Sequence, residues 1–359
     1  GDAATICPWT LYQYYGDQKI LEKQYESMKA WVEYIRNQGK NEFLWETGHH
    51  FGDWLALDTK EDSYTGVTDK SYIATAFYVY STGILKKTAK VLNREKDVKE
   101  YSNLQQKVLA NFRNEFVTPN GRLAVATQTA HILALMFDLV EEKDKQRVIE
   151  TLVSYLHEND IHLTTGFVGT PYLCHVLSNN GYNDLAYKLL QQKDYPSWLY
   201  PITKGATTMW EHWDGIKEDG TFWSADMNSF NHYAYGAIGD WLYRVVAGIN
   251  TDKDNPGYKH SVIKPQPGPG LTQVRASLDS MYGKIHSFWE ETEKSFEVKV
   301  TIPVNTTATI ILPSARLDDV KESGVFLKKG IKGVMQFNQI EKGVELLVGS
   351  GSYEFTYKY

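Results

Sequence analysis

At Asn250 the chain changes its hydrophobic period, and that change constrains the fold more than any other feature of its 359 residues. Before it, apolar residues recur at helical spacing. Ile20, Leu21, Met28, Trp31, Val32 and Ile35 mark one face of a helix over residues 20–35. Thr68 and Asp69 stand where they can cap a second run, 72–92. Asp97 opens a third, with Val98, Tyr101, Leu104, Val108, Leu109 and Phe112. Residues 127–140 are apolar nearly all round, as in a helix buried on most sides. Further helices are expected at 145–157, 168–177, 184–191 and 230–246. After Asn250 come two breakers, Asn255-Pro256-Gly257 and the PQPGPG of 265–270. Short runs of period two follow at 274–278, 283–289, 295–302, 306–312, 344–348 and 353–357. Turns every ten residues or so make them an antiparallel β-sandwich. The domains are therefore 1–250, mainly helical, and 251–359, mainly strand.

The helical part repeats itself. YGDQKILEKQY, REKDVKEYSNLQQ and EEKDKQRVIETL each place charged residues before an amphipathic helix. Helix pairs recur at roughly 40–60 residues, which fits a toroid of helical hairpins and also a solenoid. The loops 45–69, 164–170 and 201–229 carry the Gly, Asp, His and Trp residues. In a barrel of helices such loops line one mouth, where function concentrates.

Two segments in or just after those loops suggest chemistry, GATTMWEHWD at 205–214 and MNSFNHYAYG at 227–236. Trp210, Glu211, Trp213 and Asp214 crowd together, and Asn228, Asn231 and His232 follow. Rings that stack on C–H faces, beside groups that read hydroxyls, suit a sugar. A carboxylate there can activate water at an anomeric carbon. The competing reading is core aromatics with a helix-capping acid. Ten Trp and 24 Tyr favour a saccharide cleft. A net charge of −6 offers no basic patch for nucleic acid. No apolar run approaches the length of a membrane span. Cys7 and Cys174 fall in helical segments and make neither a disulfide framework nor a metal site, so the compartment stays open. His49 and His50 are adjacent rather than four apart, which argues against metal ligation. The opening GDAATICPWT has no initiator Met, basic n-region or h-region and reads as a fragment or processed piece.

Six segments in order resemble glycoside hydrolase family 78, the α-L-rhamnosidases. They are the GDAA start, PWTLYQYYGD at 8–17, FGDWL at 51–55, GATTMWEHWD, NSFNHYAYG, and VIKPQPGPGLT with YGKIHSFW at the start of the strand region. The resemblance implies an (α/α)6 barrel of paired helices, here without its first one or two helices, followed by a C-terminal β-sandwich. It implies inverting hydrolysis of terminal α-L-rhamnosides without metal or organic cofactor. Glu211 matches the general base, His232 a sugar-binding histidine and Trp54 the aromatic wall of the sugar subsite, and Trp210, beside the base, is expected to bind the sugar as well. Asp2 matches the aspartate of a W-x-G-D motif that binds sugar hydroxyls. Asp53 either bonds sugar hydroxyls or caps the next turn.

The family's general acid is a Glu seven or eight residues before that aspartate, and this chain starts at the G-D. The acid is then absent, and Glu46 is the nearest substitute. Inversion needs two carboxyls about 6.5–9.5 Å apart. The expected partner is a carbohydrate ending in rhamnose. The apolar edges near 9–15 and 230–246, left without neighbours, point to a homodimer. Two other readings stay open: another inverting (α/α)6 glycosidase or lyase-like barrel, and a carbohydrate-binding barrel without catalysis. Asp2, Trp54, Glu211 and His232 are expected to converge on one mouth.

Overall fold

In a computed structural model, which describes residues 1–59 and 63–358, helices run as far as Val246 and strands follow from Ile249. The chain divides into two compact units, Gly1–Trp9 with Leu21–Ile238, and Thr10–Ile20 with the segment from Gly239 onward.

The first unit is built from α1 (Ala3–Tyr15, its first turns), α2 (Gln18–Arg36, from Leu21), α3 (Lys70–Val91), α4 (Glu95–Phe116), α5 (Gln128–Met136), α6 (Glu142–Glu158), α7 (Thr170–Asn179), α8 (Asn183–Gln191) and the single turn α9 (Tyr200–Thr203). Consecutive helices pack as pairs, α3 with α4, α5 with α6 and α7 with α8. The members of each pair differ in chemistry. On α5 every residue but Met136 is buried, and α3 and α7 are buried on most sides. α4 buries a single stripe of Tyr101, Leu104, Val108, Phe112 and Phe116, and α6 one of Val148, Ile149, Leu152 and Leu156. A helix apolar all round lies inside and a striped one outside. α3 touches α5 and α5 touches α7, so these three form the inner layer. This is the expected barrel of paired helices. Phe112 shows what holds a pair together: fully buried, it meets Tyr72 of α3 edge-on at 4.9 Å. Truncating it to Ala would cost about 3–5 kcal/mol.

The caps follow the sequence. The Asp69 carboxylate accepts the Tyr72 N–H at 2.8 Å, and the Thr127 hydroxyl accepts that of Ala130 at 3.2 Å. The helix expected over 127–140 ends sooner, because Asp138 adopts a left-handed φ of 56°. The helix expected over 230–246 also starts late. The backbone of 230–232 is committed elsewhere, since His232 N–H donates to the Met209 carbonyl. Only from Ala234 does the chain coil, as a 3₁₀ turn (Ala234–Ala237), an α turn (Ile238–Trp241) and a π turn (Leu242–Val246). No described helix is long and apolar enough to cross a membrane.

In the second unit, strands β1 (Ile249–Thr251), β2 (His260–Ile263), β6 (Thr307–Pro313), β10 (Gly343–Val348) and β9 (Val334–Ile340) form one sheet in that order. β3 (Gln273–Ser280), β4 (Gly283–Glu291), β5 (Phe296–Ile302), β11 (Gly351–Tyr357), β7 (Lys321–Glu322) and β8 (Val325–Phe326) form the other. Alternate residues are buried, Phe296, Val298, Val300 and Ile302 on β5 and Ala308, Ile310 and Leu312 on β6. The Tyr357 hydroxyl donates across to the Pro313 carbonyl at 2.9 Å. Trp289 is fully buried, stacks on Phe296 at 5.7 Å and donates to the Val246 carbonyl at 2.7 Å. Pairing is antiparallel except between β2 and β6, which run parallel. Their long intervening chain permits that direction, where a tight hairpin would forbid it.

Candidate active site

Glu211 is held by a two-stranded pairing of irregular chain. Its N–H donates to the Ser229 carbonyl at 2.9 Å, and two residues earlier the Met209 carbonyl receives the His232 N–H at 2.8 Å. The Ser229 N–H then returns to Glu211 Oε2 at 3.1 Å. Oε1 has no hydrogen-bond partner among the described residues. Glu211 is half-buried, while its neighbours Trp210 and His212 are buried. Trp210 accordingly departs from its expected place at the sugar. It is 5% exposed and packs edge-on against Phe230 at 5.1 Å.

His232, on the partner segment, lies on Phe167 at 5.0 Å and on Tyr233 at 5.4 Å. Its Nδ1 accepts the Ala234 N–H at 3.3 Å, which makes Nε2 the protonated nitrogen and leaves it as a donor. The Phe167 N–H donates to the Trp54 carbonyl at 2.9 Å, so the loop bearing Trp54 adjoins the ring that carries His232.

Asp53 is the anchor of that loop. It is fully buried, and both carboxylate oxygens are taken: Thr129 Oγ1 and the Gly166 N–H (2.9 Å) donate to Oδ2, and the Val168 N–H donates to Oδ1 at 2.8 Å. Burial raises its pKa, against the lowering effect of those donors. Asp53 therefore neither binds sugar from the open cleft nor caps its own turn; it clamps the segment 51–57 to loop 164–169 and to α5. The clamp requires Gly166, where a Cβ would stand 2.2 Å from the Trp54 carbonyl oxygen. Just beyond Trp54, Leu55 is held at a left-handed φ of 58° while its N–H donates to Tyr64. Such strain in a non-glycine residue persists where surrounding contacts over-determine the backbone, and it gathers at functional sites.

At the N-terminal end of α1, Asp2 Oδ1 accepts from Trp31 Nε1 at 3.0 Å and from the Ser81 hydroxyl at 2.9 Å. Oδ2 is without a partner among the described residues. A ribbon of rings leads from there to the Glu211 segment. Trp31 meets Trp45, Trp45 meets His50, and in the same loop His49 meets Phe51 and Phe51 meets Trp54. Trp54 then meets Tyr64 at 5.4 Å, Tyr64 meets Trp223 at 5.7 Å, and Trp223 stacks on His212 at 3.7 Å. Asp2, Trp54, Glu211 and His232 are thus linked within one unit by direct contacts and this ribbon.

Phe167, Tyr64, Trp223 and Asp214 are members that the sequence did not single out for this surface, though Asp214 stood in the WEHWD cluster. His212 is nearly buried, and burial outweighs the nearby Glu211 carboxylate to hold its pKa below the ordinary range. Burial likewise raises the Asp214 pKa. Glu46 is exposed. His50 Nε2 lies 2.9 Å from the Thr47 carbonyl. Among the described residues no three His, Cys, Asp or Glu side chains gather where a metal could sit.

Comparison with known proteins gives the family. Residues 1–246 match the bacterial alpha-L-rhamnosidase 6 hairpin glycosidase domain, and residues 248–326 the bacterial alpha-L-rhamnosidase C-terminal domain. An alpha-L-rhamnosidase of Streptomyces avermitilis is 37% identical over 99% of this chain and 32% of its own length. One of Formosa agariphila is 38% identical over the whole chain and 38% of its own length. The crystal structure of the Streptomyces avermitilis alpha-L-rhamnosidase complexed with L-rhamnose superposes with a TM-score of 0.89, at 36% identity, over 99% of this chain and 33% of that one. The chain spans about a third of the length of these relatives. With its helical unit matched from end to end, the chain belongs to the bacterial α-L-rhamnosidase six-hairpin glycosidase family.

Proposed function

We propose that this chain carries the water-activating side of an inverting α-L-rhamnosidase, with Glu211 as the general base. The observation that carries the reading is the posture of Glu211: one carboxylate oxygen is fixed by the Ser229 N–H and the other has no partner among the described residues. A water held by Oε1 attacks the anomeric carbon and passes its proton to that carboxylate as the bond to the leaving group breaks. The leaving oxygen takes a proton from a second carboxyl on the opposite side of the sugar, about 6.5–9.5 Å from the first. Around the ring, Asp2 Oδ2 accepts from a sugar hydroxyl and His232 Nε2 donates to one. Trp54 gives its face to the C–H side of the ring and to the methyl group that distinguishes rhamnose from a hexose bearing a C6 hydroxyl. The L-rhamnose bound in the Streptomyces relative supports rhamnose as that sugar.

Incubation of the protein carrying this chain with aryl α-L-rhamnoside, glucoside and fucoside tests the reading. Rhamnose release, with β-L-rhamnose as the anomer first seen by NMR, is expected. Turnover of another glycoside in preference, or first appearance of the α anomer, would overturn it.

A further inference from the structure

Beyond Trp54 the aromatic ribbon bounds a cleft of about 160 Å³, with Tyr64 and Trp223 at its rim and Tyr235 and Trp213 among its walls. Tyr64 is 41% exposed, although large apolar rings are usually covered. Into this lining Asp214 brings a half-buried carboxyl that no other residue's side chain hydrogen-bonds among the described residues. Among the described residues, only its own backbone N–H and the charge of Lys217 act on it favourably. Thr59, Ser63 and Tyr195 also line the cleft. Glu211 does not line this cleft, but its neighbour His212 does, stacked on Trp223 at 3.7 Å. At about 30 Å³ per water, the space holds roughly five waters or one ring-sized polar molecule.

We propose that this cleft is a second saccharide subsite, which receives the sugar ring to which the terminal rhamnose is attached. Asp214 accepts its hydroxyl hydrogens, and Tyr64 and Trp223 cover its C–H face. The exposed Tyr64 ring and the half-buried Trp223 ring alone would serve an aromatic aglycone equally well. The Asp214 carboxyl and the hydroxyls of Thr59 and Ser63 favour a polyhydroxylated ring, because an aromatic one would leave that carboxyl desolvated and unpaired. The inference rests on the rhamnosidase reading above and adds the second half of the substrate.

The test compares kcat/KM for a rhamnosyl-hexose disaccharide with kcat/KM for an aryl α-L-rhamnoside in the protein carrying this chain. Asp214→Asn is expected to lower the ratio of the two by about 10- to 100-fold, the worth of a hydrogen bond to a charged group, and Trp223→Ala to lower it as well through the lost ring face. Exposed Tyr64→Ala should move it the same way and covers the case in which the Trp223 variant does not fold. A ratio unchanged within twofold in all three variants overturns the proposal; so does a rise, which would assign the cleft to the aryl ring. Calorimetric binding of the disaccharide and of rhamnose alone, to the unaltered and Asp214→Asn proteins, reports on the cleft whether or not sugar is cleaved. Selective loss of disaccharide affinity supports the subsite even where no hydrolysis is seen, and absence of hydrolysis counts against the rhamnosidase reading alone.

Discussion

Glu211 and Ser229 exchange backbone and side-chain hydrogen bonds: the Glu211 N–H donates to the Ser229 carbonyl at 2.9 Å, and the Ser229 N–H donates to Glu211 Oε2 at 3.1 Å. The pair sets both the height and the direction of the carboxylate. Retracting it by one methylene in Glu211→Asp keeps the charge and loses the position. A displacement on the order of 1 Å costs about 100-fold in rate, so kcat should fall by that order while rhamnose affinity changes little. Steady-state kinetics with parallel calorimetry checks this, and a kcat within threefold would mean that position is not what matters.

Asp53 supports the site from beneath. Asp53→Asn replaces one acceptor oxygen by an NH₂ group that must face a donor, so at least one of Gly166, Val168 and Thr129 loses its acceptor. A buried unsatisfied group costs about 1–3 kcal/mol. A lower denaturant midpoint is expected, with loss of activity only in proportion to displacement of Trp54. An unchanged midpoint would show that the clamp is dispensable.

pH dependence should be visible at Asp97, in the first turn of α4. Burial alone would raise its pKa, but the Tyr25 hydroxyl at 2.7 Å and the Lys29 ammonium at 3.4 Å, both on α2, lower it overall. A depressed folded pKa gives stability that is present above the unfolded value of about 3.9 and is lost as pH falls through the folded value. Asp97→Asn should therefore lower unfolding free energy by about 1–2 kcal/mol at pH 7, with the difference closing below that range. Urea titrations at pH 7 and pH 3 read it; an equal loss at both would assign the effect to packing.

The helical layers were legible because periodicity reports burial directly, as on α4 and α6. The start of the last helical stretch was not, since 230–232 give their backbone to the 208–211 segment, a pairing between residues about twenty apart that no local pattern encodes. β9 was missed for a related reason: as an edge strand it buries little and shows no alternation. At the site, the motif chemistry singled out Glu211 and His232, while Asp53 and Trp210 showed the limit of that approach. Each is buried beside a half-buried neighbour, Trp54 and Glu211, and no local pattern separates such neighbours. Phe167 carried no signal at all, because its part is to hold the His232 ring through a contact 65 positions away.

The central claim, that Glu211 takes the proton of the attacking water, is tested most directly by Glu211→Gln in the protein carrying this chain. The amide keeps the shape and can still accept the Ser229 N–H, yet cannot take up a proton. With an aryl α-L-rhamnoside, kcat is expected to fall by about 10²–10⁴-fold, the usual worth of general base catalysis, with rhamnose binding by calorimetry nearly unchanged. A kcat within a few-fold of the unaltered protein, at equal affinity, would contradict the account.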